Sequence, residues 1–381
     1  MGLLHDIIDR VLFPNREQHP IPVLDGAFSA NARLDGARRL GAAIDHPDDL
    51  APGPEGSLFI SSERCILRCS GPDFEQREVF ATADGPVGAL AAAADGRVYA
   101  GVSGHGVVAY GADGRMLHTL NEVDGTPLRC VTALALSEDG ALFVTDGSRT
   151  HCPEDWLPDL MGRLPPSGRL VACDVGLKQA RVLADQLAWP SGVAPAADGA
   201  RLLVAEAWAH RLSSVSRSGE KTQMVIKNFA GYPARIAADA LAPGWWMAFF
   251  GMRTQLVEFV LRERAFCESM MAHVPRELWI GPSLEVRFDY REPTQIGRIK
   301  KLGIRKPWAP PRSYGLVACL DAQAEPVASW HSRVDGHVHG VTSVRRVGSR
   351  VLAVAKGSSL LVELDDAEAL TPSDAPPGDE R

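Results

Sequence analysis

Apolar residues in this chain alternate with small or polar ones in short runs, and the runs come in pairs joined by a glycine turn. The clearest copy is Thr132-Ala-Leu-Ala-Leu, then Ser-Glu-Asp-Gly, then Ala-Leu-Phe-Val. Similar pairs start at Asp48, Gly88 and Gly192, and weaker ones at Arg235 and Thr342. A period of two predicts strands. Asp-Gly between two such runs predicts a tight hairpin, because glycine takes positive φ without a steric cost. The turn glycines Gly56, Gly96, Gly140, Gly199, Gly244 and Gly348 fall 40, 44, 59, 45 and 104 residues apart. A unit of about 40–45 residues is the length of a four-stranded propeller blade. Six copies predict an all-β chain: a single six-bladed β-propeller of four-stranded blades over residues 21–370. The two long spacings predict insertions at about 149–167 and 251–312, the second ahead of the last blade.

The period changes in two places. Leu3, Leu4, Ile7, Ile8, Val11 and Leu12 fall at helical spacing, interrupted by His5, Asp6, Asp9 and Arg10. Residues 1–20 therefore read as an amphipathic helix and arm that docks on the propeller, with a membrane surface or a second copy as alternative contacts. Thr254 to Met271 reads as a helix through Leu256, Phe259, Val260 and Phe266. The basic, Pro-rich stretch Arg298 to Arg312 reads as a solvated loop, with a lid or an anion contact as the alternative, and 371–381 as a disordered tail.

Composition narrows the partners more than the chemistry. Of 381 residues, 45% are hydrophobic and 23% charged, which is ordinary for a globular core. A net charge of −7 argues against nucleic acid. No apolar stretch reaches the ~18 residues that a membrane span needs. The seven cysteines are odd in number, and only Cys65 and Cys69 are close. That pattern fits reduced thiols in a cytoplasmic protein rather than a disulfide framework or a zinc site.

From Phe143-Val-Thr-Asp-Gly-Ser onward the chain resembles the strictosidine-synthase-like family. The similarity continues through Gly168-Arg-Leu-Val-Ala-Cys-Asp and Val182-Leu-Ala-Asp-Gln-Leu-Ala-Trp-Pro-Ser-Gly-Val-Ala. It takes in Leu203-Val-Ala-Glu-Ala-Trp-Ala-His-Arg-Leu and Phe229-Ala-Gly-Tyr-Pro-Ala-Arg-Ile. The wider superfamily includes paraoxonases and gluconolactonases, so the resemblance implies a six-bladed propeller, in agreement with the repeat count.

In a propeller the innermost strands begin near the axis. The residues that open each repeat should therefore share a central pocket: Asp48 and Asp49, the Gly85-Pro86 region, Thr132, Ser191, Arg235, and His339 with Thr342. The calcium-dependent relatives place oxygen ligands there. This chain departs from that pattern, with Ser191, Arg235 and Thr132 at three of the places, and an arginine repels a cation. No cofactor is the first expectation; a divalent cation, calcium, held by Asp48 and Asp49 is the alternative. The resemblance also implies an acid on the last blade for amine–aldehyde condensation, but Ser343 stands at that place. His339 is then the candidate general base, Arg235 the candidate oxyanion partner, and Asp48 the group that orients the histidine. Ser191, Thr132, Thr342, His151 and Trp156 are candidate substrate contacts. The expected function is hydrolysis of a small ester, lactone or related electrophile. Ligand binding without catalysis and a metal-free condensing lyase are the rivals.

Overall fold

A computed structural model describes residues 21–162, 164–196, 198–219, 222–285 and 312–365, with the short strands Lys300–Lys301 and Ile304–Arg305 between them. The N-terminal helix expected over 1–20, most of the Arg298–Arg312 stretch and the 371–381 tail lie outside the described residues.

Six four-stranded antiparallel sheets make up the body. Blade 1 spans 47–82, blade 2 spans 87–120, blade 3 spans 131–187 and blade 4 spans 190–226. Blade 5 spans 231–332, and blade 6 joins 341–363 to Arg38–Arg39. Each blade runs from its axial strand to its outer strand in chain order. Blade 6 is the exception: its outermost strand is Arg38–Arg39, paired with Leu360–Glu363. The N-terminal end of the ring is thus stitched to the C-terminal end. The middle strands Leu58–Ser62, Val98–Val102 and Gly106–Tyr110 are buried along their whole length. They pack against neighbouring blades on both faces, which is why they read as continuous apolar runs. One core cluster joins Phe59 and Ile66 of blade 1 to Leu90 and Tyr110 of blade 2. Another joins Phe143 and Leu170 of blade 3 to Val193 and Val204 of blade 4.

Both insertions sit inside blades, between second and third strands. That of blade 3 lies between Ala141–Asp146 and Gly168–Asp174, and that of blade 5 between Gly244–Met252 and Gly315–Asp321. The helix expected over Thr254–Met271 is two helices. Helix α2 is Gln255–Arg262, capped by the Thr254 hydroxyl on the Val257 amide, and α3 is Arg264–His273. At Glu263 the backbone leaves helical geometry, and the Val260 carbonyl accepts both the Glu263 amide at 2.9 Å and the Cys267 thiol at 3.2 Å. Phe259 and Phe266 face outward, whereas Val257, Val260, Leu261, Cys267 and Met270 face the body. In blade 3 the insertion forms α1, Trp156–Gly162, which packs against α3. The two insertions therefore build one helical cap.

An antiparallel ladder normally sends alternate side chains to opposite faces of the sheet. All six axial strands break that rule near their start. The register shifts between Pro47 and Leu50, Val87 and Ala89, Val131 and Ala133, Pro190 and Gly192, Pro233 and Ile236, and Val341 and Ser343. A bulge re-aims the residue it leaves out of the ladder. Those residues are Asp48 and Asp49, Gly88, Thr132, Ser191, Ala234 and Arg235, and Thr342.

Elsewhere the fold buries titratable groups for structural ends. His331, on the outer strand of blade 5, bonds the Tyr314 hydroxyl through Nδ1 and the Ser329 hydroxyl through Nε2, both at 2.9 Å. Burial, with a smaller push from Arg333, lowers its pKa to about 4. The unfolded imidazole takes its proton near 6.5, so between pH 6.5 and 4 the unfolded chain binds more protons and stability falls as pH falls. This group alone is expected to remove up to roughly 3 kcal/mol across that window. Urea midpoints at pH 7 and pH 5 check this, and His331→Phe should flatten the difference; an unchanged slope would refute it.

Candidate functional site

The six bulged positions meet on the axis. Asp48, Gly88, Thr132, Ser191, Ala234, Arg235 and Thr342 line the floor of a cavity of about 240 Å³. That is just below the roughly 300–1,000 Å³ usual for ligand pockets. Most of the remaining walls come from outside the axial strands. Pro153, Glu154 and Trp156 belong to the blade 3 insertion, and Leu284 to that of blade 5. Val131, Trp189, Phe250 and Lys356 complete the lining.

Three bulge hydroxyls act first as inter-blade latches. Thr132 of blade 3 donates to the Pro190 carbonyl of blade 4. Ser191 of blade 4 donates to the Pro233 carbonyl of blade 5 at 2.7 Å. Thr342 of blade 6 donates to the Asp48 carbonyl of blade 1 at 2.6 Å. Toward the cavity these oxygens can offer only their remaining lone pairs.

Arg235 ties the floor together. Its Nη1 reaches the Asp48 carbonyl at 2.8 Å, Asp48 Oδ1 at 2.6 Å and the Thr342 carbonyl at 3.3 Å, while Nη2 reaches the Gly88 carbonyl at 2.6 Å. Its Nε stands 3.2 Å from Asp49 Oδ2, an ion pair without hydrogen-bond alignment. Lys356 holds Asp48 Oδ2. Burial pushes the Asp48 carboxyl up, but Lys356 and Arg235 outweigh it and keep it below its ordinary value. Burial likewise opposes the Arg235 charge, and Asp49 and Asp48 more than restore it.

Asp49 is fully buried and saturated. Its Oδ1 accepts the Leu50 amide at 2.8 Å and the Ser343 hydroxyl at 2.6 Å, and its Oδ2 accepts the Leu90 amide at 2.8 Å. Ser343, at the place of the condensing acid, is thus a partner of Asp49 and not a cavity group. The pair Asp48 and Asp49, considered above as cation ligands, faces three side-chain cations already: Arg235, Lys356 and, 3.8 Å from Asp49 Oδ2, Arg345. A hard cation wants six to eight oxygens of its own, so this floor does not fit one. Among the described residues, Asp45, His46 and Glu63 bring ligand atoms within 4.8 Å of one another; all three are exposed, and none lines the cavity.

His339 does not line the cavity. It is fully buried, with Nδ1 2.9 Å from the Ser313 hydroxyl and Nε2 2.7 Å from the Arg333 carbonyl. Both nitrogens are held in these buried contacts. Asp48, bonded to Arg235 and Lys356, does not orient it. His151 also stands outside the lining; its Nδ1 bonds Asp159 Oδ2 at 2.9 Å. Asp159 Oδ1 in turn accepts the Trp208 indole at 2.8 Å. This network fixes the aromatic wall from behind: Trp208 stacks on Trp189 at 5.1 Å, and Trp156 meets Phe250 edge-on at 5.5 Å. Trp156 is in the wall.

Glu154, Trp189, Phe250, Leu284 and Lys356 were not among the expected site residues. Glu154 lies in the stretch His151-Cys-Pro-Glu-Asp-Trp156, and its signal was proximity to Trp156. Trp189 carries a backbone signal: φ is +53°, a strained value for a bulky residue, directly before the bulge. The Glu154 carboxylate is exposed at the mouth and accepts the Ser103 hydroxyl at 2.7 Å. The cavity is therefore two-sided, with an aromatic wall facing a charged floor and one solvent-facing carboxylate at its rim.

The strictosidine synthase family model matches residues 133–218, which cover most of blades 3 and 4. Over those residues the chain is similar to the strictosidine synthase family, and its six four-stranded sheets make it a propeller. The propeller is 26% identical to strictosidine synthase-like 6 of Arabidopsis thaliana, over 56% of this chain and 59% of that one. It thus spans about three fifths of that relative's length. Among solved structures, a gluconolactonase from Xanthomonas campestris superposes with a TM-score of 0.55 at 15% identity, covering 90% of this chain and 97% of its own. A regucalcin from Agrobacterium tumefaciens, described as a calcium-binding protein, gives 0.54 at 14%, covering 86% and 93%. Those two likenesses establish the fold of the propeller. No helix among the described residues is long and apolar enough to cross a membrane.

Proposed function

We propose that the axial cavity takes a small molecule with an apolar, ring-sized body and a carbonyl head, and hydrolyses an ester or lactone at that head. The observation that carries this reading is the split lining: Trp156, Trp189, Phe250 and Leu284 on one side, Lys356, Asp48 and Arg235 on the other. Aromatic faces hold the body. The Lys356 ammonium, anchored by Asp48, receives the carbonyl oxygen and stabilises the oxyanion that forms there. Glu154 is the lining carboxylate not tied to a cation. It takes the proton of a water that attacks the carbonyl carbon, and returns it to the departing alkoxide. Atoms balance with water as the only co-reactant, and no metal enters the scheme.

Ligand binding without turnover is the second reading. It is favoured by the commitment of Arg235, Asp48, Thr132, Ser191 and Thr342 to contacts between blades. A panel of small aromatic and aliphatic esters and lactones separates the two. Turnover is expected, with Lys356→Met lowering kcat/KM about 10- to 100-fold, the range of one lost charged contact. A folded protein that converts no panel member, yet gains thermal stability from one in a Lys356-dependent way, establishes the binding reading. Neither turnover nor binding would overturn both.

A further inference from the structure

The floor of the cavity has a second property that the hydrolytic scheme does not use. Five oxygens converge on one guanidinium: the carbonyls of Asp48, Gly88 and Thr342, Asp48 Oδ1, and Asp49 Oδ2. They come from blades 1, 2 and 6, while the guanidinium comes from blade 5. Carbonyls and carboxylates in such number are the donor set of a hard, oxygen-seeking cation, with water completing the shell. The bulges create this set, because a residue left out of the ladder has freed its carbonyl from a strand partner.

We propose that Arg235 is the resident cation of this propeller, a tethered substitute for a metal ion, and that the oxygen ring becomes a divalent-cation site when the guanidinium is removed. Charge supports the assignment. Asp48 is paired with Arg235 and Lys356, and Asp49 with Arg235 and, at 3.8 Å, with Arg345, so loss of Arg235 removes the cation that the two carboxylates share. Access supports it too, since Arg235 lines the cavity. Lys356 stays on Asp48 Oδ2 and leaves the five oxygens in place. A carbonyl-rich, water-completed site of this kind suits calcium better than magnesium, which demands a tight octahedron. The proposal stands whatever molecule the cavity binds.

Terbium serves as the probe, because Trp156 and Trp189 wall the same cavity and can sensitise its emission. The full chain is compared with Arg235→Ala, both in an Asp45→Asn background that silences the exposed Asp45, His46 and Glu63 group. The unsubstituted floor is expected to give no stoichiometric terbium emission, and the same thermal midpoint in EDTA and in millimolar calcium. Arg235→Ala is expected to melt lower in EDTA, to regain several degrees with calcium, and to take up one equivalent of terbium that calcium displaces. Adding Asp48→Asn should abolish that uptake. Arg235→Lys, which keeps the charge, should stay insensitive to calcium. An Asp48-dependent calcium shift with Arg235 present would overturn the proposal. So would a folded Arg235→Ala that binds no terbium. Arg235→Gln repeats the test if the alanine variant is insoluble, and failure of both to fold with calcium present would show that a metal cannot take the place of the guanidinium.

Discussion

Glu154→Gln is expected to lower kcat for ester or lactone hydrolysis by about 10²- to 10⁴-fold, the usual contribution of a positioned general base. KM should change little, because the apolar body rests on Trp156, Trp189 and Phe250, which the substitution leaves alone. The thermal midpoint should also hold. Glu154 is exposed, its side chain accepts the Ser103 hydroxyl, and glutamine keeps an acceptor oxygen for that bond. Steady-state kinetics on the best substrate of the panel decide the matter. A glutamine variant with undiminished kcat would remove Glu154 from the chemistry and shift weight to ligand binding.

The largest stability effect is expected at a site with no cavity contact. Arg169 and Asp146 form a buried pair in blade 3, with Arg169 Nη2 2.6 Å from Asp146 Oδ2 and both side chains essentially without solvent. Asp146 Oδ1 accepts the Cys130 amide at 3.0 Å, and Arg169 reaches on to the Pro127 carbonyl. Burial raises the Asp146 pKa even with Arg169 beside it. Arg169→Ala strands that carboxylate and should cost about 3–5 kcal/mol at neutral pH. The deficit should shrink on acidification, because a proton neutralises the stranded group and the folded state holds that proton more tightly than the unfolded one. Urea unfolding at pH 7 and pH 5 measures both parts. A loss under about 1 kcal/mol at pH 7 would mean that the pair is dispensable.

The propeller was legible because its repeats are local. Asp-Gly turns at Gly96, Gly140 and Gly199 mark hairpins that need only neighbouring residues to form, and their spacing counts blades. The fifth repeat was fainter: its turn glycine, Gly244, follows Pro243 and not an aspartate. The axial residues were also legible as positions, since each precedes a repeated run. Their roles were not. A bulge leaves no mark in composition, so nothing in the sequence separates a hydroxyl aimed at ligand from one aimed at the next blade, as with Thr132 and Ser191. His339 precedes an axial strand just as they do, but it packs beneath blade 6 against Ser313 and Arg333, contacts set by a chain reversal that no local pattern encodes. Lys356, Phe250 and Leu284 were missed for a related reason. They arrive from strand ends and an insertion, where side-chain direction depends on how distant segments cross.

The stitch in blade 6 has a consequence for how the chain is made. Arg38 and Glu363 meet across 325 positions of sequence. During synthesis the first five blades can form one after another as they leave the ribosome, each from contiguous chain. The circle cannot shut until the strand Leu360–Glu363 has emerged, so until then the waiting segment around Arg38–Arg39 and the open flanks of blades 1 and 5 lack their partners. The entropic cost of that last join grows only with the logarithm of the intervening length. The vulnerable interval in the life of this protein is therefore the wait for its final strand.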